Sequence, residues 1–128
     1  GLQAVGTAAA VTAMTATLLS GPTGLNFDHQ SLIEEDFSGR SDLVRAVFTK
    51  SNCQGANFAR TDMTQANLED VAFVKADLSG ANLTGVLGTK TKFISADLTD
   101  AVLVEGNFVG AMFDGAKVDG ADFTDALV

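Results

Sequence analysis

A five-residue phrase repeated along most of the chain is the feature that most constrains its fold. Residues 76–85 read ADLSGANLTG, in which alanine, a polar residue, leucine, a hydroxyl residue and glycine occur twice in the same order. A large apolar residue recurs at the centre of this phrase, at every fifth position from Leu43 to Phe123, and Gly88 is the one exception. The residue two positions earlier is nearly always Ala, Ser, Thr or Gly.

A period of five excludes the two common secondary-structure patterns. An amphipathic helix repeats its apolar positions about every 3.6 residues, and a half-buried strand alternates at every second residue. Five residues fit a chain that turns a corner once per repeat, with the large residue and the small residue two before it both facing inward. Four such sides predict a square coil of about 20 residues, and stacked coils hydrogen-bond about 4.8 Å apart.

This pattern resembles the pentapeptide-repeat family, whose fold is a right-handed four-sided β-helix. The resemblance covers roughly residues 25–128 and implies an all-β solenoid of about five coils. GLNFDHQSLIEEDFSG (24–39), ANF (56–58) and GADFTDA (120–126) make the chain most similar to members from the chloroplast thylakoid lumen and from cyanobacteria. Those relatives often have a Cys-containing helical segment after the solenoid, and this sequence stops at Val128. We therefore expect a truncated chain or a different C-terminal cap.

Two breaks in the repeat predict local irregularities. The step from Phe37 to Leu43 is six residues, which predicts a bulge of one residue near Gly39–Arg40. In VLGTK (86–90) the central position is glycine. This second break predicts a distorted turn or small loop between Thr84 and Thr91.

The first 24 residues form a separate, uncharged segment rich in Ala and Thr. Its apolar residues fall at helical spacing, and Ser20-Gly21-Pro22 ends the pattern. We expect a short N-terminal helix or arm over residues 1–24 that covers the open end of the solenoid, because such ends need caps. Two alternatives remain at this point. About 18 uncharged residues reach the minimum for contact with or insertion into a membrane, and the segment also fits the remnant of a cleaved targeting sequence.

Composition and residue types argue against catalysis, nucleic-acid binding and metal binding. The formal net charge is −8 and the eight basic residues are scattered, whereas binding to a phosphate backbone needs clustered Lys and Arg. A single Cys (Cys53) and a single His (His29) cannot make the common zinc signatures. Cys53 also occupies an inward position, which is typical of an inert core thiol. A general acid needs a pocket that shifts its pKa, and a solid square tube predicts none. We expect no enzymatic activity, no cofactor and no bound metal.

Residues 20 apart share a face, so the outer surface can be read from the sequence. One face has Asp77, Asp97, Asp100 and Asp119 outward, together with Arg60 and Lys117. The preceding face has four outward apolar residues, flanked by Lys75 and Lys92; we call these four the apolar strip: Ala72, Val74, Ile94 and Met112. Exposed apolar patches mark partner sites. The apolar strip is therefore the candidate partner-binding site, with the N-terminal arm as the second candidate.

The resemblance implies two kinds of function. The first is a non-enzymatic structural or protein-interaction module that docks on or stabilises a larger complex. Similarity to the thylakoid-lumen members implies the lumen as compartment and a photosynthetic membrane complex as partner. The alternative is a DNA mimic, because some members of the family resemble B-DNA in width and charge and inhibit topoisomerases such as gyrase.

Charge density favours the module over the mimic. Five coils make a rod about 24 Å long, and DNA of that length carries about 14 charges. The whole chain has a net charge of only −8, spread over all its faces. We expect a protein partner and no direct binding to nucleic acid.

Overall fold

Residues 24–128, the part of the chain that the computed structural model describes, fold into a four-sided β-helix of five coils. The coils span residues 26–46, 47–66, 67–86, 87–106 and 107–126. Each side except the fourth side of the first coil contributes one strand residue, which pairs in parallel with the equivalent residue of a neighbouring coil. The described residues contain no helix, and hence none long and apolar enough to cross a membrane. The expectations for residues 1–23 lie outside the described residues.

We number the four faces in chain order by their inward residues. The first face contains Phe27, Phe48, Leu68, Gly88 and Phe108. The second contains Leu32, Cys53, Phe73, Phe93 and Phe113. The third contains Phe37, Phe58, Leu78, Leu98 and Val118. The fourth contains Leu43, Met63, Leu83, Leu103 and Phe123. The first face is therefore opposite the third, and the second is opposite the fourth.

The single strand residues that pair from coil to coil form four parallel ladders. On the first face they are Asn26, Val47, Asn67, Leu87, Asn107 and Leu127. On the second they are Ser31, Asn52, Ala72, Lys92 and Met112. On the third they are Asp36, Asn57, Asp77, Asp97 and Lys117. On the fourth they are Asp62, Asn82, Val102 and Asp122. Backbone hydrogen bonds of 2.6–3.1 Å join neighbouring coils along all four.

A tight turn follows every inward residue and makes the corner of the square. The inward residue accepts a hydrogen bond from the N–H three positions later, as in Leu43 to Ala46 (3.0 Å). The residue two positions after the inward one always has positive φ, for example 59° at Arg45 and 58° at Lys50. This combination is that of a type II turn. The chain therefore changes direction by about 90° once per repeat, which explains the period of five.

From Ala46 onward the small residue of each repeat faces inward, as predicted, whereas Ser41, in the irregular first coil, is exposed. Ala46 and Ala96 are fully buried, and the same position holds the buried hydroxyl residues Ser51, Thr61 and Thr91. The hydroxyls are satisfied within the tube, since Thr91 Oγ1 donates to the carbonyl oxygen of a neighbouring coil over 2.7 Å. A buried hydroxyl without such a partner would be costly. The small position therefore accepts Thr because a backbone carbonyl is within reach, and the Ser51 hydroxyl lies 3.5 Å from the Cys53 sulfur.

Phenylalanine rings stack along the inner walls at the predicted spacing. The rings of Phe73 and Phe93 are 5.6 Å apart and nearly parallel, and those of Phe93 and Phe113 are 5.1 Å apart. These residues are 20 positions apart, as a four-sided coil requires. The stacking confirms the four-sided assignment for the second face.

The first coil contains one extra residue, which confirms the predicted bulge. Asn26 pairs with Val47, 21 positions later, whereas every pairing from the second coil onward spans 20 positions. The extra residue lies where Asp62 donates its backbone N–H to Arg40 over 2.9 Å. Arg40 Nε donates in turn to Asp42 Oδ1 over 2.8 Å, inside the same irregular segment.

The loop expected in VLGTK (86–90) was a wrong prediction. Leu87 pairs with the equivalent residues of both neighbouring coils, and Gly88 is buried at an inward position in the regular register. The missing side chain is compensated by Phe108, the next inward residue of the same wall. A Cβ atom on Gly88 would lie 2.8 Å from Phe108 Cδ1, so this ring already occupies the space that a larger residue would need.

Candidate docking face

The four residues of the apolar strip lie together on the second face. Ala72 pairs in parallel with Lys92, which pairs with Met112 in the fifth coil. Val74 and Ile94 occupy equivalent positions in the third and fourth coils, one residue after an inward Phe. The N–H that follows Val74 donates to the Ile94 carbonyl oxygen over 2.9 Å. The structure therefore puts the four residues in two adjacent columns of one hydrogen-bonded wall. Lys92, which was expected to flank the strip, lies instead between Ala72 and Met112 in one of these columns.

Exposure along the apolar strip is uneven. Met112 lies in the last described coil, with no coil above it, and has 43% of its surface exposed, whereas Ala72, Val74 and Ile94 are half-buried between neighbouring coils. Ile33 lies in the same column as Val74, two coils below, and is 46% exposed. Sequence reasoning missed Ile33, although its place one residue after an inward Leu is the same signal that identified Val74 and Ile94.

Lysine residues border the second face where it meets the first face. Lys92 Nζ lies 2.7 Å from Asp70 Oδ1, and both side chains are more than a third exposed. The hydrogen bond from Lys92, with the nearby charges of Lys92, Lys50 and Lys90, lowers the pKa of the Asp70 carboxyl group. We call this group the lysine corner: Lys50, Lys90 and Lys92 around Asp70. Lys75 lies at the opposite edge of the same face.

The third face carries the predicted acidic residues. Asp77 and Asp97 pair in one ladder, which Lys117 continues, and the Asp100 N–H donates to the Asp119 carbonyl oxygen over 2.9 Å. Within this ladder the carboxylates also accept hydrogen bonds from backbone N–H groups of the turns. The Asp97 side chain accepts the backbone N–H of the residue two positions later over 3.0 Å. The acidic column is therefore real, and its carboxylates are partly committed to holding the fold.

Exposed apolar residues on the first face were missed by sequence reasoning. Leu87 is 39% exposed, Val109 is 52% exposed and Leu127 is 59% exposed. The signal was present in the outward ladder of this face, where Asn alternates with an aliphatic residue: Asn26, Val47, Asn67, Leu87, Asn107 and Leu127. Val109 directly precedes Gly110, which continues the column of Lys50 and Lys90, whereas Leu87 and Leu127 lie further from this corner on the first face.

The described residues offer no enclosed site. They contain no pocket and no group of three His, Cys, Asp or Glu that could hold a metal ion. Burial raises the pKa of the Cys53 thiol to about 12, and the nearby Ser51 hydroxyl, 3.5 Å from the sulfur, only partly offsets it. His29 is exposed and lies 2.7 Å from the Asp28 carboxylate. Cys53 is therefore a protonated core residue at neutral pH, as predicted.

Comparison with known proteins identifies similar sequences and structures. The family model described as Pentapeptide repeats matches in eight copies, over residues 41–80, 66–103 and 91–127. A pentapeptide repeat protein from the Arabidopsis thaliana thylakoid lumen is 34% identical with a TM-score of 0.77, over 79% of this chain and 70% of that one. The pentapeptide repeat protein Rfr23 of the cyanobacterium Cyanothece 51142 is 16% identical with a TM-score of 0.64, over 80% of this chain and 63% of that one. The second likeness concerns the fold alone. No curated protein matches the sequence significantly.

Proposed function

The chain belongs to the pentapeptide-repeat family, and from this premise we propose that it is a non-enzymatic interaction module that docks on a larger protein complex through its second face. Membership implies the right-handed quadrilateral β-helix, and the similar structures agree with it. The observation that carries the proposal is the apolar strip itself, four outward apolar residues in two adjacent columns on one wall.

A patch on such a wall can bind a partner at low entropic cost. The backbone beneath the apolar strip is already fixed by hydrogen bonds to the coils above and below. Binding therefore orders little further chain, and ordering costs are a large part of what association must overcome. Burial of apolar surface contributes about 25 cal/mol per Å². The third face gains less from burial, because its outward carboxylates are well solvated.

We place the protein in the thylakoid lumen, with a photosynthetic membrane complex as its partner. The support is the likeness to the Arabidopsis lumen protein, which extends over 79% of this chain. Fractionation of thylakoids from the native source tests this placement. The protein should be recovered with the lumen contents or with a membrane complex, and recovery in the stroma or cytosol would refute it.

The DNA-mimic alternative has weaker support in the charge pattern. The outward ladder of the third face contains Asn57 and Lys117 among its Asp residues, and Arg60 lies at its edge. A B-DNA segment of the same length, about 24 Å, carries about 14 negative charges without interruption. We expect the chain to leave DNA supercoiling by gyrase unchanged.

The docking proposal is tested by changing two residues of the apolar strip. The partner is first isolated with the intact protein from its native source. Val74→Asp combined with Ile94→Asp should weaken binding at least about tenfold, equivalent to about 1.4 kcal/mol, because the partner would then bury two carboxylates. Circular dichroism should show an unchanged fold, since both side chains face outward.

A matched control lies on the opposite face. Val44 and Val104 occupy the same repeat position as Val74 and Ile94, are also half-buried, and belong to the fourth face. Changing both of them to Asp should leave binding of the partner unaltered. Parental binding by the Val74→Asp/Ile94→Asp variant would refute the docking face. Loss of binding on changing Asp77, Asp97 and Asp119 to Asn would support an electrostatic role for the third face instead.

A further inference from the structure

Building on the proposed docking function, we propose that the surface continues around the lysine corner onto the first face and receives an acidic, amphipathic segment of a protein partner. The lysine corner supplies the charge that selects carboxylates. The apolar residues on both sides of the lysine corner supply the apolar surface that the partner would bury. The apolar strip alone says nothing about the partner's charge, so this inference rests on different residues.

Positive charge is concentrated at this corner of an acidic molecule. Lys50, Asp70 and Lys90 are equivalent corner residues of successive coils, and Lys92 pairs with Asp70 from the adjacent position of the second face. Three ammonium groups therefore surround one carboxylate, in a chain whose net charge is −8. Asp70 and the adjacent Glu69 offset two of the three charges, so the corner keeps one net positive charge to attract a partner.

Apolar side chains flank the same corner one coil higher. In the last described coil, which no further coil covers, Val109 is 52% exposed on the first face and Met112 is 43% exposed on the second face. Between them is Gly110, which continues the corner column above Lys90, and a Cβ on Gly110 would lie 3.5 Å from Lys90 Cγ. The aliphatic stem of Lys90 therefore lies along the corner beneath Gly110, and joins the two apolar areas into one surface.

Charge complementarity favours an acidic protein segment over a nucleic acid or an anionic membrane. Only a few ammonium groups are available, and carboxylates border the area, including Glu69 on the first face and Asp114 on the second. A polyphosphate backbone or a charged bilayer extends well beyond the corner and would meet these carboxylates, whereas binding of phosphate backbones needs broad basic surfaces. A short segment with a few carboxylates and apolar residues fits without that repulsion.

The test uses three fluorescein-labelled synthetic peptides of equal length. The first alternates Leu with Glu, the second has Lys for Glu, and the third has Ser for Leu. Fluorescence anisotropy with the full chain should give at least about tenfold tighter binding of the first peptide than of either other. Its affinity should fall as salt is raised, because charge pairs at an exposed rim are screened. Vesicles of phosphatidylglycerol should not bind.

Variants of the corner residues locate the binding. Lys50→Glu combined with Lys90→Glu should weaken binding of the Leu–Glu peptide at least about tenfold. Lys50→Gln combined with Lys90→Gln should weaken this binding less. Arg45→Glu with Arg60→Glu is the matched control. These arginines are also exposed, have positive φ at corner positions, and undergo the same charge change. The control should bind like the parent. If the Lys50→Glu/Lys90→Glu variant fails to fold, the Lys50→Gln/Lys90→Gln variant gives the same comparison with the control.

Each outcome has a defined meaning. Equal binding of the acidic and basic peptides, no binding of the acidic peptide, or preference for the vesicles would overturn the acidic partner. Equal loss in the lysine and arginine variants would show that total charge, and not this corner, controls binding. If Val74→Asp/Ile94→Asp abolishes binding of the native partner but the lysine variants do not, the docking face stands and only the partner chemistry is wrong.

Discussion

Phe108 fills core volume that two glycines leave open. Its ring lies against Gly88 in the coil below and against Gly106, two positions before it in the chain, so a Cβ at either glycine would meet the ring. Gly88 does not have positive φ. Space, and not backbone conformation, therefore requires glycine there.

Gly88→Ala should lower the free energy of unfolding by about 1–3 kcal/mol, the usual cost of overpacking a core. The reason is the 2.8 Å approach to Phe108, which the new methyl group cannot share. In a Phe108→Leu background, Gly88→Ala should lower the free energy of unfolding by clearly less, since the effects of mutations at residues in contact are not additive. Chemical denaturation of the four proteins measures this coupling, and an equal cost in both backgrounds would show that the two sites do not compete for space.

Ala96→Leu should also destabilise the fold, by about 1–3 kcal/mol. Ala96 is fully buried at the small inward position, so a leucine there would have to displace its core neighbours. Thr89→Leu is the control, because Thr89 faces outward in the same coil. Thermal unfolding compares the two variants. An unchanged melting temperature for Ala96→Leu would mean that the small position tolerates a large side chain.

At this scale the sequence predicted which residues face inward but not how they share volume. The spacing placed Phe73, Cys53 and Ala96 correctly in the core. It misjudged Gly88, because a pattern considers one repeat at a time. The volume beside Gly88 is supplied by a residue 20 positions later, and only the stacked coils reveal that pairing.

The turn is the repeating element that closes the square. Asp or Asn before the inward residue accepts the N–H of the residue two positions later, as in Asn82 to Thr84 at 3.0 Å. Thr84 Oγ1 also donates to the same Asn82 oxygen, over 2.6 Å. Such side-chain bonds are the reason these residue types favour turns. The abundance of Asp and Asn is therefore a property of the corners.

These turn bonds predict that the fold is sensitive to acid. Hydrogen bonds from Thr99 lower the pKa of Asp97, and those from Ser38 and Thr124 lower the pKa values of Asp36 and Asp122. A carboxyl group with a lowered pKa in the folded state stabilises the fold above its unfolded pKa of about 3.9. This contribution is lost as the pH falls through the lowered folded value.

The melting temperature should therefore fall as the pH is lowered from about 5 to 2. Asp97→Asn keeps an oxygen that accepts the Thr99 N–H but removes the titrating group. This variant should lose less stability over the same range than the parent. Differential scanning calorimetry at several pH values makes the comparison. Identical pH profiles for parent and variant would mean that Asp97 does not contribute to the acid sensitivity.

The sequence predicted that corners exist but not which position has positive φ. Seven corner residues are glycine, but thirteen are not, including charged residues such as Arg60, Lys75 and Glu105. The glycine positions alone would therefore have predicted only some of the turns. The hydrogen bonds between coils fix the corner conformation regardless of the residue, so tertiary pairing overrides local preference.

On the scale of the whole molecule, the four faces differ in chemistry while sharing one backbone. The third face carries the Asp ladder, and the second carries the apolar strip beside the lysine corner. The rule that residues 20 positions apart share a face correctly assigned Val74, Ile94 and Met112 to one face. It could not give their exposure, nor show that Val109 adjoins Met112 around Gly110, because exposure depends on neighbours from three coils. The binding role of this surface remains a proposal.

Hydroxyl-radical footprinting of the complex with the native partner tests the central claim, that one face of a rigid rod makes the contact. Met112 is 43% exposed on the apolar strip, and Met63 is fully buried in the core and serves as the internal reference. The account predicts that the partner protects Met112, Val74 and Ile94 from oxidation and leaves Val104, on the opposite face, as reactive as in the free protein. Protection confined to other faces, or unchanged oxidation of Met112 in the complex, would contradict it.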